Sequence, residues 1–111
     1  MGLDNLWKKN DNEDARVEGD FKIYGGMFSD NGNTSFRGKI YARMIEDITL
    51  VSLYDDSIPN EKIKQMADVL ESTEFRPEYM IHYDITPEEF KDIAKMFRLH
   101  ADAGHYLIAW Y

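Results

Sequence analysis

Apolar residues recur along this chain with two different periods, and the periods set the elements. Phe36, Ile40, Met44 and Ile48 are spaced by four, with Tyr41 and Ile45 beside them. That spacing predicts a helix over 36–49, with Ser35 as its N-cap. A strand over the same residues would force Gly38, Ala42 and Glu46 to share a face with Ile40 and Met44. Gly38 inside the helix would cost about 1 kcal/mol relative to Ala. Ile63, Met66, Ala67 and Leu70 predict a second helix over 60–71, with Pro59 punctuating its start. Thr86-Pro87-Glu88-Glu89 is a capping box with proline in the first helical position. It opens a third helix over 87–102, whose Phe90, Ile93, Ala94, Phe97 and Ala101 share one face and which Gly104 terminates.

Short alternating or β-branched runs predict strands near 21–24, 50–54, 79–84 and 106–110. Residues 8–20 are polar and aperiodic, which predicts a loop free to move. Ahead of them Leu3, Leu6 and Trp7 suggest a short docking element. No repeat interrupts the chain, and 111 residues make one domain, 1–111. Helices and strands come in mixed order, so the expected class is α+β rather than a βαβ parallel sheet.

Composition narrows the chemistry. Aromatic residues are 14% of the chain, a load that belongs largely to a core. Without a cysteine there is no disulfide frame, no thiol chemistry and no Cys-type zinc site. No apolar run approaches a membrane span and no signal-like segment opens the chain, so the expectation is a cytoplasmic protein. A net charge of −8 opposes nucleic acid binding.

One segment departs from that acidity. Residues 21–45 carry Lys22, Arg37, Lys39 and Arg43 against Asp30, while both flanks are negative. The Gly25-Gly26 pair and the turn-rich Ser29–Thr34 loop feed the predicted helix start. Gly25, Gly26, Thr34, Ser35, Arg37 and Lys39 are therefore candidates for an anion or nucleotide site, where helix amides and a dipole favour negative charge. The alternative is an ordinary turn and a capped helix. A phosphate-loop motif fails on spacing, because five residues separate Gly32 from Gly38-Lys39 and Ile40 stands where Ser or Thr should be. Asp30-Asn31-Gly32-Asn33-Thr34 lacks the closing acid of a calcium loop, so it reads as a turn. On the predicted helix Arg37 falls in the apolar arc, which calls for a compensating acid. Asp102 is the first candidate for that structural ion pair and the chain terminus the second.

His82, His100 and His105 lack the spacing of a paired-histidine metal site, so cap or surface roles are expected and no metal or other cofactor. The adjacent acids Glu46-Asp47, Asp55-Asp56 and Glu88-Glu89 point apart and read as solvated faces.

The opening Met1-Gly2-Leu3-Asp4-Asn5 with Trp7, the central Gly25-Gly26-x-Phe28-Ser29 and Ser35-Phe36-Arg37-Gly38-Lys39-Ile40-Tyr41, Ser52-Leu53-Tyr54, and the closing Met96-Phe97-Arg98-x-x-Ala101-Asp102-Ala103-Gly104 with Trp110 together resemble a group of short bacterial and bacteriophage proteins, cyanophages included. The resemblance spans nearly the whole chain. It implies a phage- or mobile-element-related accessory protein and a shared region for 25–26, 35–38 and 101–104. It carries over no catalytic residue. The expected function is non-enzymatic: a small acidic protein that binds a protein partner, with anion or nucleotide binding at 25–39 as the alternative.

Overall fold

β1 (Asp4–Lys9) is the strand around which the molecule is built. The computed structural model describes residues 3–26 and 31–111. Met1-Gly2 and Ser29-Asp30, which belong to the opening motif and to the turn-rich loop, lie outside them. Along one edge β1 pairs antiparallel with β5 (Tyr106–Trp110), from Asp4 opposite Trp110 to Lys8 opposite Tyr106. Its other edge is shared. The first half pairs with β3 (Ser35–Phe36), the second with β2 (Glu13–Asp14). β4 (Ser57–Ile58) adds to the far side of β5, giving the order β2-β1-β5-β4 with β3 beside β1. Every pairing among the described residues is antiparallel, including that of β4 with β5, which three helices separate along the chain.

Four helices complete the described chain: α1 (Gly38–Thr49), α2 (Asn60–Ser72), α3 (Pro77–Tyr83) and α4 (Pro87–Asp102). The class is α+β, as the mixed order of elements predicts. α2 and α4 pack against each other through Ile63, Met66, Leu70, Phe90, Ile93 and Phe97, all within one core. That core also holds Leu3 and Trp7 of the N-terminal segment, Phe36 of β3, and Tyr41, Met44 and Ile45 of α1. Trp7 lies edge-on to Phe97 at 5.3 Å between ring centres, and Phe36 stands 6.2 Å from Phe97.

The helix predicted over 36–49 begins two residues late. Ser35 and Phe36 are drawn into the sheet by Asn5 and Leu6, so Arg37, not Ser35, takes the N-cap position. The buried face is consequently Gly38, Tyr41, Ala42, Met44 and Ile45, and Ile40 turns outward. The polar 8–20 stretch is largely a hairpin. Asn10, Asp11 and Asn12 adopt positive φ, which Asn and Asp tolerate well, and this reverses the chain between β1 and β2. No strand forms at 21–24; Gly25 alone makes a bridge to Phe36. Residues 50–54 form turns, since Leu50 ends α1 at φ 64°, and the strand falls later at 57–58.

The strand expected at 79–84 is instead α3. Pro77 fits the first helical position, Asp84 closes the helix in the left-handed region, and Tyr79 and Tyr83 meet one turn apart at 5.7 Å. The thirteen-residue α2, the α4 capping box and β5 lie where the sequence puts them.

Candidate functional site

The basic segment does not form one open site. Gly26 lies hard against Ser35: a Cβ there would stand 2.7 Å from the Ser35 hydroxyl oxygen, so glycine is what permits the approach. Ser35 and Thr34 are buried, and the Thr34 carbonyl accepts from the Trp7 amide at 2.8 Å. The amides at the start of α1 are spent inside the fold. Arg37 N donates to the Tyr24 carbonyl, Lys39 N to that of Leu3 and Ile40 N to that of Arg37. Lys39 turns outward with Arg43. With Glu46, Asp47 and Tyr54 they line a shallow cleft of about 280 Å³.

Arg37 has its acid, but it is Asp4 rather than Asp102 or the chain terminus. The guanidinium Nη1 stands 3.1 Å from Asp4 Oδ1. Register explains the partner: Asn5 opposes Phe36, so Asp4 and Arg37 are next neighbours across the ladder. The arginine side chain is 47% exposed, so the pair sits at the surface and is worth about 1 kcal/mol or less. Asp102 lies elsewhere, one turn from Arg98 on α4.

A further concavity was not legible from the sequence. It is a groove of about 440 Å³ between α2 and α4, roofed at one end by the 73–75 segment. Leu70, Phe75, Phe90, Ala94 and Leu99 make an apolar lining, and Lys91 and Lys95 stand on its rim. A volume in this range is typical of sites that hold an apolar group with a few polar anchors. Lys91 and Lys95 are one turn apart on α4, and neither has an ion pair among the described residues. Lys95 also lies 5.8 Å above the Phe21 ring. Arg98, at the same groove, is taken: its guanidinium bonds Asp68, Glu71 (Nη2–Oε1 2.9 Å) and Asp102 (Nη1–Oδ1 3.3 Å). Those three carboxylates hold its proton all the more firmly, Glu71 first. The signal that could have pointed to the groove is the Lys91–Lys95 pair bordering the Phe90–Ala94 face of α4.

An internal polar site joins α1 to the start of α4. The Tyr41 hydroxyl donates to Glu89 Oε2 at 2.8 Å and accepts from the Tyr24 amide at 3.0 Å. Burial, followed by the nearby Glu89 carboxylate, holds this phenol well above its ordinary range, so it stays a donor. The other oxygen of Glu89 accepts from Thr86 N and closes the capping box.

Two of the three histidines overturn their predicted cap and surface roles. His100 and His105 are both buried, with their Nδ1 atoms 2.8 Å apart. His100 Nε2 lies 2.9 Å from the Gly32 carbonyl, which can only accept. Nε2 therefore carries the His100 proton, its Nδ1 accepts, and His105 donates. The His100 ring stacks on Trp7 at 4.0 Å. Burial above all pulls its pKa down to about 3, against the bond to Gly32 which raises it. Burial lowers His105 as well. The sequence signal was present: His100 continues the apolar face of Ile93 and Phe97. His82 lies on the exposed side of α3. Among the described residues no group of three or more His, Asp or Glu is arranged to hold a metal ion, and no helix is long and apolar enough to cross a membrane.

The fold and groove define a small α+β domain with an apolar, lysine-edged concavity on its helical face. No family model, curated protein or solved structure matches the chain.

Proposed function

We propose that this chain is a non-enzymatic accessory protein that acts by binding a protein partner, and that the α2/α4 groove is where it binds. The observation that carries the reading is the groove itself: an apolar lining of about 440 Å³ edged by two lysines, in a protein otherwise strongly acidic. Apolar area supplies affinity, while the free lysines select a partner segment that mixes aliphatic and acidic residues. The resemblance to short phage proteins suggests the cytoplasm of a bacterium or an infected host cell as the setting.

The test is capture from bacterial lysate by immobilised wild-type protein and by a Lys91→Glu/Lys95→Glu variant. Both lysines are exposed, so the variant keeps its fold. A protein retained by the wild type and lost from the variant is the expected result. Capture of nothing, or capture indifferent to the two lysines, refutes the reading.

The Lys39–Arg43–Tyr54 cleft is the place for a second reading, a small anion or nucleotide held by the two cations beside an exposed ring, with Glu46 and Asp47 on the same lining. A melting-temperature screen with phosphate and nucleotides decides it. The expected shift must vanish in Arg43→Ala; absence of any shift removes the reading.

A further inference from the structure

The groove has a complement on the same molecule. α3 buries none of its seven residues fully. Its Tyr79 and Tyr83 lean on the body: the Tyr79 ring lies 5.6 Å from Phe75 and 6.1 Å from Phe90, and the Tyr83 hydroxyl donates to Asp47 Oδ2 at 2.7 Å. At about 100° per residue, Ile81 points directly away from that pair, with Met80 beside it. Ile81 is 84% exposed and Met80 48%. α3 carries the exposed acid Glu78 and ends at the exposed Asp84, with Glu74 just before it; the basic residues of the same stretch are Arg76 and His82.

We infer that α3 of a second copy of this chain occupies the α2/α4 groove, with Met80 and Ile81 entering between Phe75, Phe90 and Ala94 while Glu78 and Asp84 meet Lys91 and Lys95. This rests on the reading of the groove as a protein-binding surface and names its occupant. A lone exposed isoleucine would call for no explanation. Here an apolar tip on an acid-bearing helix and an apolar groove edged by lysines with no ion pair among the described residues are present together, and each supplies what the other lacks.

Their placement fits a closed pair. Phe75, just before α3, and Pro87, just after it, both line the groove. The groove thus adjoins the chain at both ends of α3, and a two-fold pairing of copies would form both contacts at once. That is an isologous dimer rather than an open chain of copies.

Analytical ultracentrifugation of the whole chain tests the inference, over about 1 to 500 μM. The wild type is expected to pass reversibly from monomer to dimer. Ile81→Asp is expected to stay monomeric with an unchanged melting temperature in dilute solution, because the side chain is solvated in the monomer. Lys91→Glu/Lys95→Glu is expected to weaken the dimer at least tenfold, and adding Glu78→Lys/Asp84→Lys to restore it.

A wild type that stays monomeric overturns the inference, and so does a dimer indifferent to Ile81→Asp or to the lysine reversal. Growth past the dimer overturns the two-fold arrangement. These failures separate from failure of the protein-binding reading: a monomer that still retains a lysine-dependent partner from lysate loses only the self-association.

Discussion

Gly38 shows how a single position can reverse the sign of a propensity argument. As a glycine at a helix start, it should be improved by alanine, by up to about 1 kcal/mol. The fold forbids this. A Cβ on Gly38 would stand 1.7 Å from Asn5 Oδ1 and 3.1 Å from Leu3 Cδ2. Asn5 cannot yield cheaply, because it is fully buried in β1 and its amide nitrogen donates to the carbonyls of Leu53 at 3.0 Å and Ile108 at 3.2 Å. Displacing it strands one buried and one half-buried acceptor, the buried one at about 1–3 kcal/mol. Gly38→Ala is therefore expected to lose about 2–4 kcal/mol in urea unfolding followed by circular dichroism. A neutral or stabilised variant would show that α1 can shift away from β1. Asn5 also shows where the sequence was opaque. A buried asparagine in a strand breaks the apolar alternation, so β1 reads as a docking segment although it is the central strand.

At the scale of elements, α2, α4 and β5 were legible because their signals are local: an apolar stripe, a capping box, a β-branched and aromatic run. α3 was not. Tyr79-Met80-Ile81-His82-Tyr83 has strand composition, and it is helical because Tyr79 finds Phe75 and Phe90 and because Pro77 and Asp84 fit its two ends. The groove was hidden for the same reason, since it exists only once two helices and the 73–75 segment converge.

The α2–α4 contact also lets two kinds of interaction be compared. Arg98 bridges the helices through Asp68 and Glu71 of α2 and also bonds Asp102 on its own helix, but all three acids are exposed to solvent. Arg98→Met is expected to cost about 1 kcal/mol, less at high salt. Leu70→Ala, in the buried seam, is expected to cost about 2–5 kcal/mol. Urea midpoints at low and high salt check both values. An Arg98 effect as large as that of Leu70 would mean that the ion network, not the apolar seam, joins the helices.

At the scale of the molecule, the His100–His105 pair joins three distant parts of the chain. Trp7 of β1 stacks on His100, the Gly32 carbonyl accepts from it, and His105 reaches it at the start of the segment leading into β5. The two rings meet because Gly104, at φ 82°, turns the chain back after α4, and His105 N donates to the His100 carbonyl at 3.0 Å. Nothing in a five-residue spacing announces that contact. The pair makes stability depend on pH in a definite direction. Unfolded histidine binds a proton near pH 6.5. Folded His100, at about 3, does not. Its contribution is therefore complete above about pH 6.5 and drains away as the pH falls toward 3, because the unfolded chain takes up the proton first. At pH 5 the loss from His100 alone is about 2 kcal/mol. His105 shifts in the same direction and adds to it. His100→Phe keeps a ring against Trp7 but cannot titrate. Its stability at pH 7.5 is expected to be lower, since Gly32 loses its donor, yet its further loss between pH 7.5 and 5 is expected to be smaller than that of the wild type by roughly 2 kcal/mol. Carboxylates titrate in both proteins and cancel in the difference. Urea titrations of the two proteins at both pH values measure it, and equal losses would mean that His100 is protonated, or exposed to water, in the folded chain.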